Sequence, residues 1–319
     1  MSKKLDNLVL KISEKYGDHV VASDIENEKV IVSTGSIAMD TATGVGGFML
    51  GKMVEIFAEP GVGKSTTSLH VIAEAQKMGL KCSLLDSEHA YDKKYAQTIG
   101  VNTKDLIRLN PSLLEDAANM AVELIKSEEV QVIIIDSLSA LTTNKENEGD
   151  IGDANMGVKA RLVGQFCRKV KGLLDRHNVL LVIVGQLRDT LSMYGPPKTT
   201  DYGKAISFFA DVRIELSKKN LKEGDEIVGN TVTAKFIKNK LGKPYQACEF
   251  VITFGVGIDN IGDIFVKAKE LLPKDIYYLR AGVVKYNGEK YSQEDFQQLV
   301  RDNEEFRKEL QDLINKHSK

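Results

Sequence analysis

From about residue 35 the chain repeats one rhythm: a short apolar run, a glycine-bearing loop, then a longer stretch with apolar positions three and four apart. The apolar runs are Met53–Phe57, Cys82–Leu85, Val130–Ile135 and Val179–Val184, and the helical stretches between them include Thr66–Met78 and Asp116–Ser127. Short continuous apolar runs alternating with amphipathic helices predict a mostly parallel sheet covered on both faces. Further strands at Val212–Leu216, Thr231–Lys238 and Glu249–Thr253 are expected to extend it antiparallel at one edge. Ahead of this core, Leu5, Leu8, Val9, Ile12 and Tyr16 fall at helical spacing, and a short strand is expected near Val30–Ser33. After Ile261 come short helices, a hairpin over Val283–Tyr291 turning at Asn287-Gly288, and a charged terminal helix. The expected division is a helix-and-strand segment over 1–33, an α/β core over 34–260 and a small α+β domain over 261–319.

With 319 residues, 42% of them hydrophobic, the chain has enough apolar material for such a core. The net charge of −2 argues against coating a polyanion by bulk charge, so any nucleic-acid site must be local. Cys82, Cys167 and Cys248 are far apart and form no metal-ligand spacing, which points to buried free thiols in a reducing compartment. The basic N-terminus lacks the apolar stretch of a signal peptide, and no run of about 18 apolar residues predicts a membrane span. A cytoplasmic location is the expectation.

The strongest motif is Ala58-Glu59-Pro60-Gly61-Val62-Gly63-Lys64-Ser65, between the strand VEIF and the helix that begins with Thr66. It has phosphate-loop spacing, with alanine in place of the first glycine. Gly61 and Gly63 let backbone N–H groups converge on phosphate oxygens, and the helix N-terminus adds positive potential. Lys64 is placed for the β- and γ-phosphates of ATP, and Ser65 for Mg²⁺. A second apolar strand ends in Asp136, placed for the metal's outer ligands. A third ends in the acidic cluster Asp86-Ser87-Glu88, where a carboxylate can polarise an attacking water. On spacing alone, that cluster also fits a solvated acidic loop.

Several strings together are more specific than a phosphate loop. VSTGSIAMD (32–40), LLDSEHAYDKKYAQTIGV (84–101), IDSLSALT (135–142), EGDIGDANMGVKARL (148–162) and KNKLGKPYQACEFVITFGVGI (238–258) follow in an order and spacing that resembles the bacterial RecA family of recombinases over roughly residues 5–290. The resemblance implies a RecA-like ATPase core that forms a helical filament on single-stranded DNA and pairs it with duplex DNA, with ATP and Mg²⁺ as cofactors. Single-strand-binding and mediator proteins are implied as further partners. It implies that Glu88 activates the hydrolytic water and Gln186 senses the γ-phosphate. Asp92 and Tyr95, Tyr95 by stacking, together with Phe254 and Gly255 would contact the nucleotide. Lys238 and Lys240 would reach the ATP of the adjacent subunit; read alone, Lys238-Asn239-Lys240 is a solvated edge-strand run. Phe208 sits at a position where the family has its subunit interface.

Two segments resemble the family's DNA-binding loops. The first, 148–157, leads into a helix on which Arg161 and Arg168 lie two turns apart on one face. The second runs from Arg188 to Lys204. Met156, Leu191, Met193 and Tyr194 suit wedging between bases, and Arg188, Thr199, Thr200 and the Gly203 backbone suit phosphates. Met156 also fits a core position, and the second segment also fits a lid that binds no nucleic acid. The chain departs from the family pattern at Tyr202, which replaces the first glycine of a usual pair, and at Lys204 and Ser207. It ends in INKHSK where relatives carry a long acidic tail, from which readier loading onto DNA is expected. Two rival readings use the same core: a ring-forming helicase or clock-type ATPase, and a nucleotide-binding regulator that builds no active filament.

Overall fold

The computed structural model describes residues 11–12, 14–15, 29–150, 157–189, 198–200 and 202–317. Residues 1–30 and 31–319 are two separate compact units. In the first, residues 11–12 and 14–15 are helical and Ile12 is exposed. Leu5, Leu8, Val9 and Tyr16 of the expected helix lie outside the described residues.

The second unit opens with β1 (Ile31–Val32), helix α1 (Ile37–Thr43) and β2 (Phe48–Met49), the two strands pairing antiparallel. Ser36 caps α1 by accepting from the Met39 amide, and Gly44 ends it in the left-handed conformation. The core then runs β3 (Met53–Ala58), α2 (Lys64–Lys77), β4 (Cys82–Asp86), α3 (Lys93–Ile99), β5 (Ile107–Leu109), α4 (Leu114–Lys126) and β6 (Val132–Asp136). It continues through α5 (Asn144–Glu148), α6 (Val158–His177), β7 (Leu180–Asp189), β8 (Lys198–Thr200), α7 (Ala205–Phe209) and β9 (Val212–Glu223). The edge is made by β10 (Glu226–Asn239), β11 (Ala247–Thr253) and β12 (Gly257–Ile258). Last come α8 (Asn260–Leu271), β13 (Tyr277–Arg280), β14 (Val283–Tyr286), β15 (Glu289–Ser292), α9 (Gln293–Asp302) and α10 (Glu304–His317).

Among the described residues the main sheet has ten strands in the order β12-β11-β10-β9-β3-β7-β6-β4-β5, with β8 added antiparallel to β7. Strands β5, β4, β6, β7, β3 and β9 are parallel, and β10, β11 and β12 are antiparallel. This is the expected mostly parallel sheet flanked by helices, with one difference. The strand beginning at Val212 pairs parallel to β3, so the antiparallel edge starts one strand later. Helix α7 lies between β7 and β9 in the chain, and a helical crossover returns the chain in its original direction. Both β9 and β10 also extend past the runs expected from their apolar residues, into the polar stretch that meets at Gly224.

The parallel strands read as unbroken apolar runs because both faces are covered. On one face α4, α6 and α7 bring Leu114, Ile125, Phe166, Val170 and Ile206 against Leu85, Ile133, Ile135, Leu181 and Ile183, all buried. Each such aliphatic side chain contributes about 1.5–3 kcal/mol by leaving water. Helix α2 contacts β3, β4, β6 and β7. A second cluster surrounds fully buried Phe296, whose ring lies within 6.0 Å of those of Phe265, Tyr277, Tyr286, Tyr291 and Phe306. Ile37 of α1 belongs to this cluster. The expected turn at Asn287-Gly288 is present, with positive φ at both residues, as a two-residue hairpin of this hand requires.

Candidate functional site

Parallel strands point their C-terminal ends the same way, so the loops after β3, β4, β6 and β7 meet at one edge of the sheet. Register places Ala58 beside Gln186 and Asp86 beside Asp136. Ala58 is the last residue of β3 and keeps negative φ, so alanine is accommodated there. Gly61 and Gly63 have φ of 69° and 112°. Gly63 caps α2 with no side chain in the way, and a Cβ there would fall 2.3 Å from Cδ1 of Ile252 on β11. Lys64 is buried, and its ammonium donates to the carbonyls of Glu59 at 2.9 Å and Ala58 at 3.4 Å. Burial pushes its pKa down, against the pull of Asp136 and Glu88.

Asp136 is pushed up to about 6 by burial, although the Ser65 side chain hydrogen-bonds to it. Its Oδ1 is buried and has no hydrogen-bond partner. An orphaned carboxylate oxygen beside a hydroxyl, next to a phosphate loop, fits a hard divalent cation. Glu88 is exposed at the same edge. Its Oε1 accepts from the Gln186 amide at 2.6 Å and from the Ser137 hydroxyl at 2.8 Å. The Gln186 backbone N–H donates to Ser139 Oγ at 3.1 Å, and Leu138 N–H to the Val184 carbonyl. Sequence reasoning missed Ser137 and Ser139 as members of this network; they stand one and three residues after Asp136, which was the available signal.

Two adjoining hollows flank this network. One, of about 480 Å³, is lined by Pro60, Gly61, Lys64, Thr66, Gln186, Phe254 and Gly255, among others. The other, of about 200 Å³, is lined by Tyr91, Asp92 and Asp136, and both share Ser65, Glu88 and Tyr95. The fold thus brings Glu59 through Thr66, Glu88, Asp92, Tyr95, Asp136, Gln186, Phe254 and Gly255 to one region, although Val62 points into the core. The Tyr95 hydroxyl lies 3.1 Å from Thr66 Oγ1, and Asp92 caps α3 by accepting from the Lys94 and Tyr95 amides. Asn230 and Ile252 also line the larger hollow, and the buried Oδ1 of Asn230 has no partner. Nothing in the local sequence of β10 marks Asn230.

Lys238 and Lys240 lie elsewhere. Lys238 pairs in register with Arg213, and Lys240 donates its backbone N–H to Asp211, just before β9. The Asp211 N–H in turn bonds the Met53 carbonyl at the start of β3. Lys240 is therefore level with the wrong end of β3, about 16 Å from Ala58 at ~3.3 Å per residue. Lys238 Nζ donates to the carbonyls of Ser207 and Phe208, both at 2.9 Å, while Lys240 Nζ lies 3.7 Å from Asp211 Oδ1. Burial and the neighbouring Lys240 push the Lys238 pKa down. Phe208, beside them, is 72% exposed.

Of the candidate DNA residues, Arg161 and Arg168 are exposed on α6, and Arg188 and Thr199 are exposed on the β7–β8 pair. Thr200 is buried. Gly203 has φ of 74°. Met156, Leu191, Met193 and Tyr194 lie outside the described residues.

The family described as RecA N-terminal domain matches residues 3–259. The chain belongs to the RecA family. It is 39% identical to Protein RecA of Porphyromonas gingivalis over 332 aligned positions, covering 99% of this chain and 96% of that one. It is 36% identical to Protein RecA of Bacillus thuringiensis, covering 98% and 92%, and 39% identical to that of Chloroherpeton thalassium, covering 92% and 80%. As a RecA-family member it is an ATP-dependent DNA recombinase and DNA-dependent ATPase of recombination and repair. No helix among the described residues is long and apolar enough to cross a membrane.

Proposed function

We propose that this RecA-family chain hydrolyses ATP in the cleft at the C-terminal ends of β3, β4, β6 and β7, and that a neighbouring protomer completes the cleft. The observation that carries the reading is the contact of Glu88 with Gln186. It places a carboxylate beside the phosphate loop and joins it directly to the strand that runs on to the second DNA segment.

Glu88 is the general base that orients and polarises the attacking water, and Gln186 reports the γ-phosphate through the same carboxylate. Lys64 and the amides after Gly61 hold the triphosphate. Ser65 and Asp136 hold Mg²⁺, which when bound neutralises charge on the β- and γ-phosphoryl oxygens. The adenine of the nucleotide lies against Asp92 and Tyr95, and Phe254 and Gly255 also contact the nucleotide. Lys238 and Lys240 cannot serve their own cleft, since they sit at the opposite end of the sheet. That position supports action in trans on the next protomer's ATP. Phe208 shares that end, so cleft and lysines form two unlike surfaces, and a heterologous contact of this kind propagates as a fibre when its rotation does not close. A groove of about 460 Å³ along β5 and α4, lined by Leu109, Met120 and Leu124, is the proposed seat for a neighbour's N-terminal segment 4–16. Single-stranded and duplex DNA bind along 148–168 and 188–204, single-strand-binding and mediator proteins assist loading, and residues 261–319 act as a small accessory domain.

The test is ATP turnover with and without single-stranded DNA, coupled to strand exchange between homologous substrates and to electron microscopy with a non-hydrolysed ATP analogue. Strong DNA stimulation, exchanged product and helical filaments are expected. Equal turnover with and without DNA, or closed rings in place of filaments, would overturn the reading.

A further inference from the structure

Tyr202 is the largest fully buried side chain of the described residues. Its surroundings explain how it fits. A Cβ on Gly185 would fall 1.8 Å from the Tyr202 hydroxyl and 2.8 Å from Cζ, so the ring occupies the space that a side chain at 185 would need. Gly185 immediately precedes Gln186. The Tyr202 phenol donates to Glu55 Oε1 at 2.8 Å, and Thr200 also hydrogen-bonds to it. Glu55 is 1% exposed on β3 and pairs through its other oxygen with Arg213 of β9, whose guanidinium lies 4.9 Å from the Phe57 ring centroid. Next to Tyr202, a Cβ on Gly203 would fall 2.9 Å from Cβ of Ala160 in the first turn of α6. A further ion pair joins Lys198 of β8 to Glu59 of the phosphate loop.

One residue thus touches three things: the strand of Gln186, the strand that feeds the phosphate loop, and β8, while its neighbour touches the start of α6. We infer that Tyr202 is a positioning residue that locks the β8 end of the second DNA segment to Gly185-Gln186 and to Glu55, so that DNA contact and the nucleotide cleft move as one unit. This deepens the function proposed above and rests on its reading of 188–204 as a DNA segment. The physical basis is a hydrogen-bonded polar chain, Thr200–Tyr202–Glu55–Arg213, whose Tyr202 and Glu55 members are fully buried. Removing the phenol oxygen leaves Glu55 Oε1 without that donor while the ring still fills the space beside Gly185. The lock loosens without emptying the core.

The experiment uses the full chain. Tyr202→Phe is compared with wild type for ATP turnover without DNA, turnover with saturating single-stranded DNA, and KM for ATP in each condition. The expected result is a loss of about tenfold in DNA-stimulated kcat, with DNA-free turnover and KM within about twofold of wild type. Preserved DNA-free turnover itself reports a folded cleft. Gly185→Ala disturbs the same contact from the other strand, since its methyl group displaces the phenol, and it is expected to lower DNA stimulation in the same way. Undiminished DNA stimulation in Tyr202→Phe overturns the inference, as does a parallel loss of DNA-free and DNA-stimulated turnover, which is what a merely structural role gives. A wild-type chain that DNA does not stimulate overturns the underlying function as well, so the two failures are told apart by the wild-type control.

Discussion

Asp136 shows how burial and chemistry compete at one side chain. Its carboxyl sits at about 6 because burial outweighs the hydrogen bond from Ser65, and the charges of Glu88 and Asp86 add to the rise while Lys64 opposes it. The sign follows. If Asp136 holds Mg²⁺ as proposed, the cation binds its ionised form, so protons compete with Mg²⁺ as pH falls through about 6, and well above it the site is fully ionised. Mg²⁺-dependent nucleotide binding, followed with a fluorescent ATP analogue, is expected to need more Mg²⁺ at pH 5.5 than at pH 7.5, by up to about tenfold per pH unit below the pKa. Asp136→Asn is expected to raise the Mg²⁺ requirement at every pH and to remove this dependence. A wild-type midpoint that stays constant from pH 7.5 to 5.5 would mean that Asp136 does not hold the metal. Asp40 and Asp263 are likewise pushed up to about 7 by burial, each against hydrogen bonds from serine or threonine. Neither lines the hollows beside the phosphate loop.

The phosphate loop is held in shape by strand β11 as much as by its own glycines. Gly63 needs φ of 112° and meets Ile252 where a Cβ would stand. Gly63→Ala therefore combines backbone strain of about 1–3 kcal/mol with a steric clash. A lower thermal midpoint and at least about tenfold weaker nucleotide binding are expected. Adding Ile252→Val removes the clashing Cδ1 at a packing cost of about 0.5–1.5 kcal/mol, so it should recover part of the midpoint and leave the strain. Recovery to the wild-type midpoint would show that strain is absent. The loop itself was legible in the sequence because its parts are contiguous and lie between an apolar strand and an amphipathic helix. Strands β3, β4, β6 and β7 were legible for a related reason: burial on both faces writes continuous apolar runs such as Val132–Ile135. The direction of β9 was not legible, because direction depends on the crossover through α7 and not on the strand's own residues. The outer halves of β9 and β10 were missed because exposed residues such as Lys218, Lys219 and Asn220 carry no apolar alternation. Glu55 and Tyr202 meet across 147 residues, a contact that one sequence does not announce. Local strings likewise could not say that Lys238 and Lys240 stand at the end of the sheet opposite the phosphate loop.

On the proposed reading, that opposition makes the catalytic unit a pair of protomers. The cleft would take Glu88 from the chain that holds the phosphate loop, and Lys238 with Lys240 from the next. In the single chain the lysines are engaged with the Ser207 and Phe208 carbonyls and with Asp211. Reaching a neighbour's triphosphate requires exchanging these contacts for stronger, charge-assisted ones. Two defective chains should therefore rescue each other. Glu88→Gln lacks the base but carries intact lysines, whereas the double variant Lys238→Ala with Lys240→Ala keeps the base and lacks the donors. Each alone is expected to lose at least about a hundredfold in DNA-stimulated turnover. In an equimolar mixture that assembles at random, about one junction in four joins an intact base to intact lysines, so turnover should recover to about a quarter of wild type. Covalently linking the protomers in one order and then the other sharpens the test, because only one order presents the lysines to the intact base at the internal junction. If the lysines acted within their own chain, neither mixing nor linking would restore turnover. If they merely supported the fold, the double variant would show a lowered thermal midpoint and reduced DNA-free turnover before any partner was added.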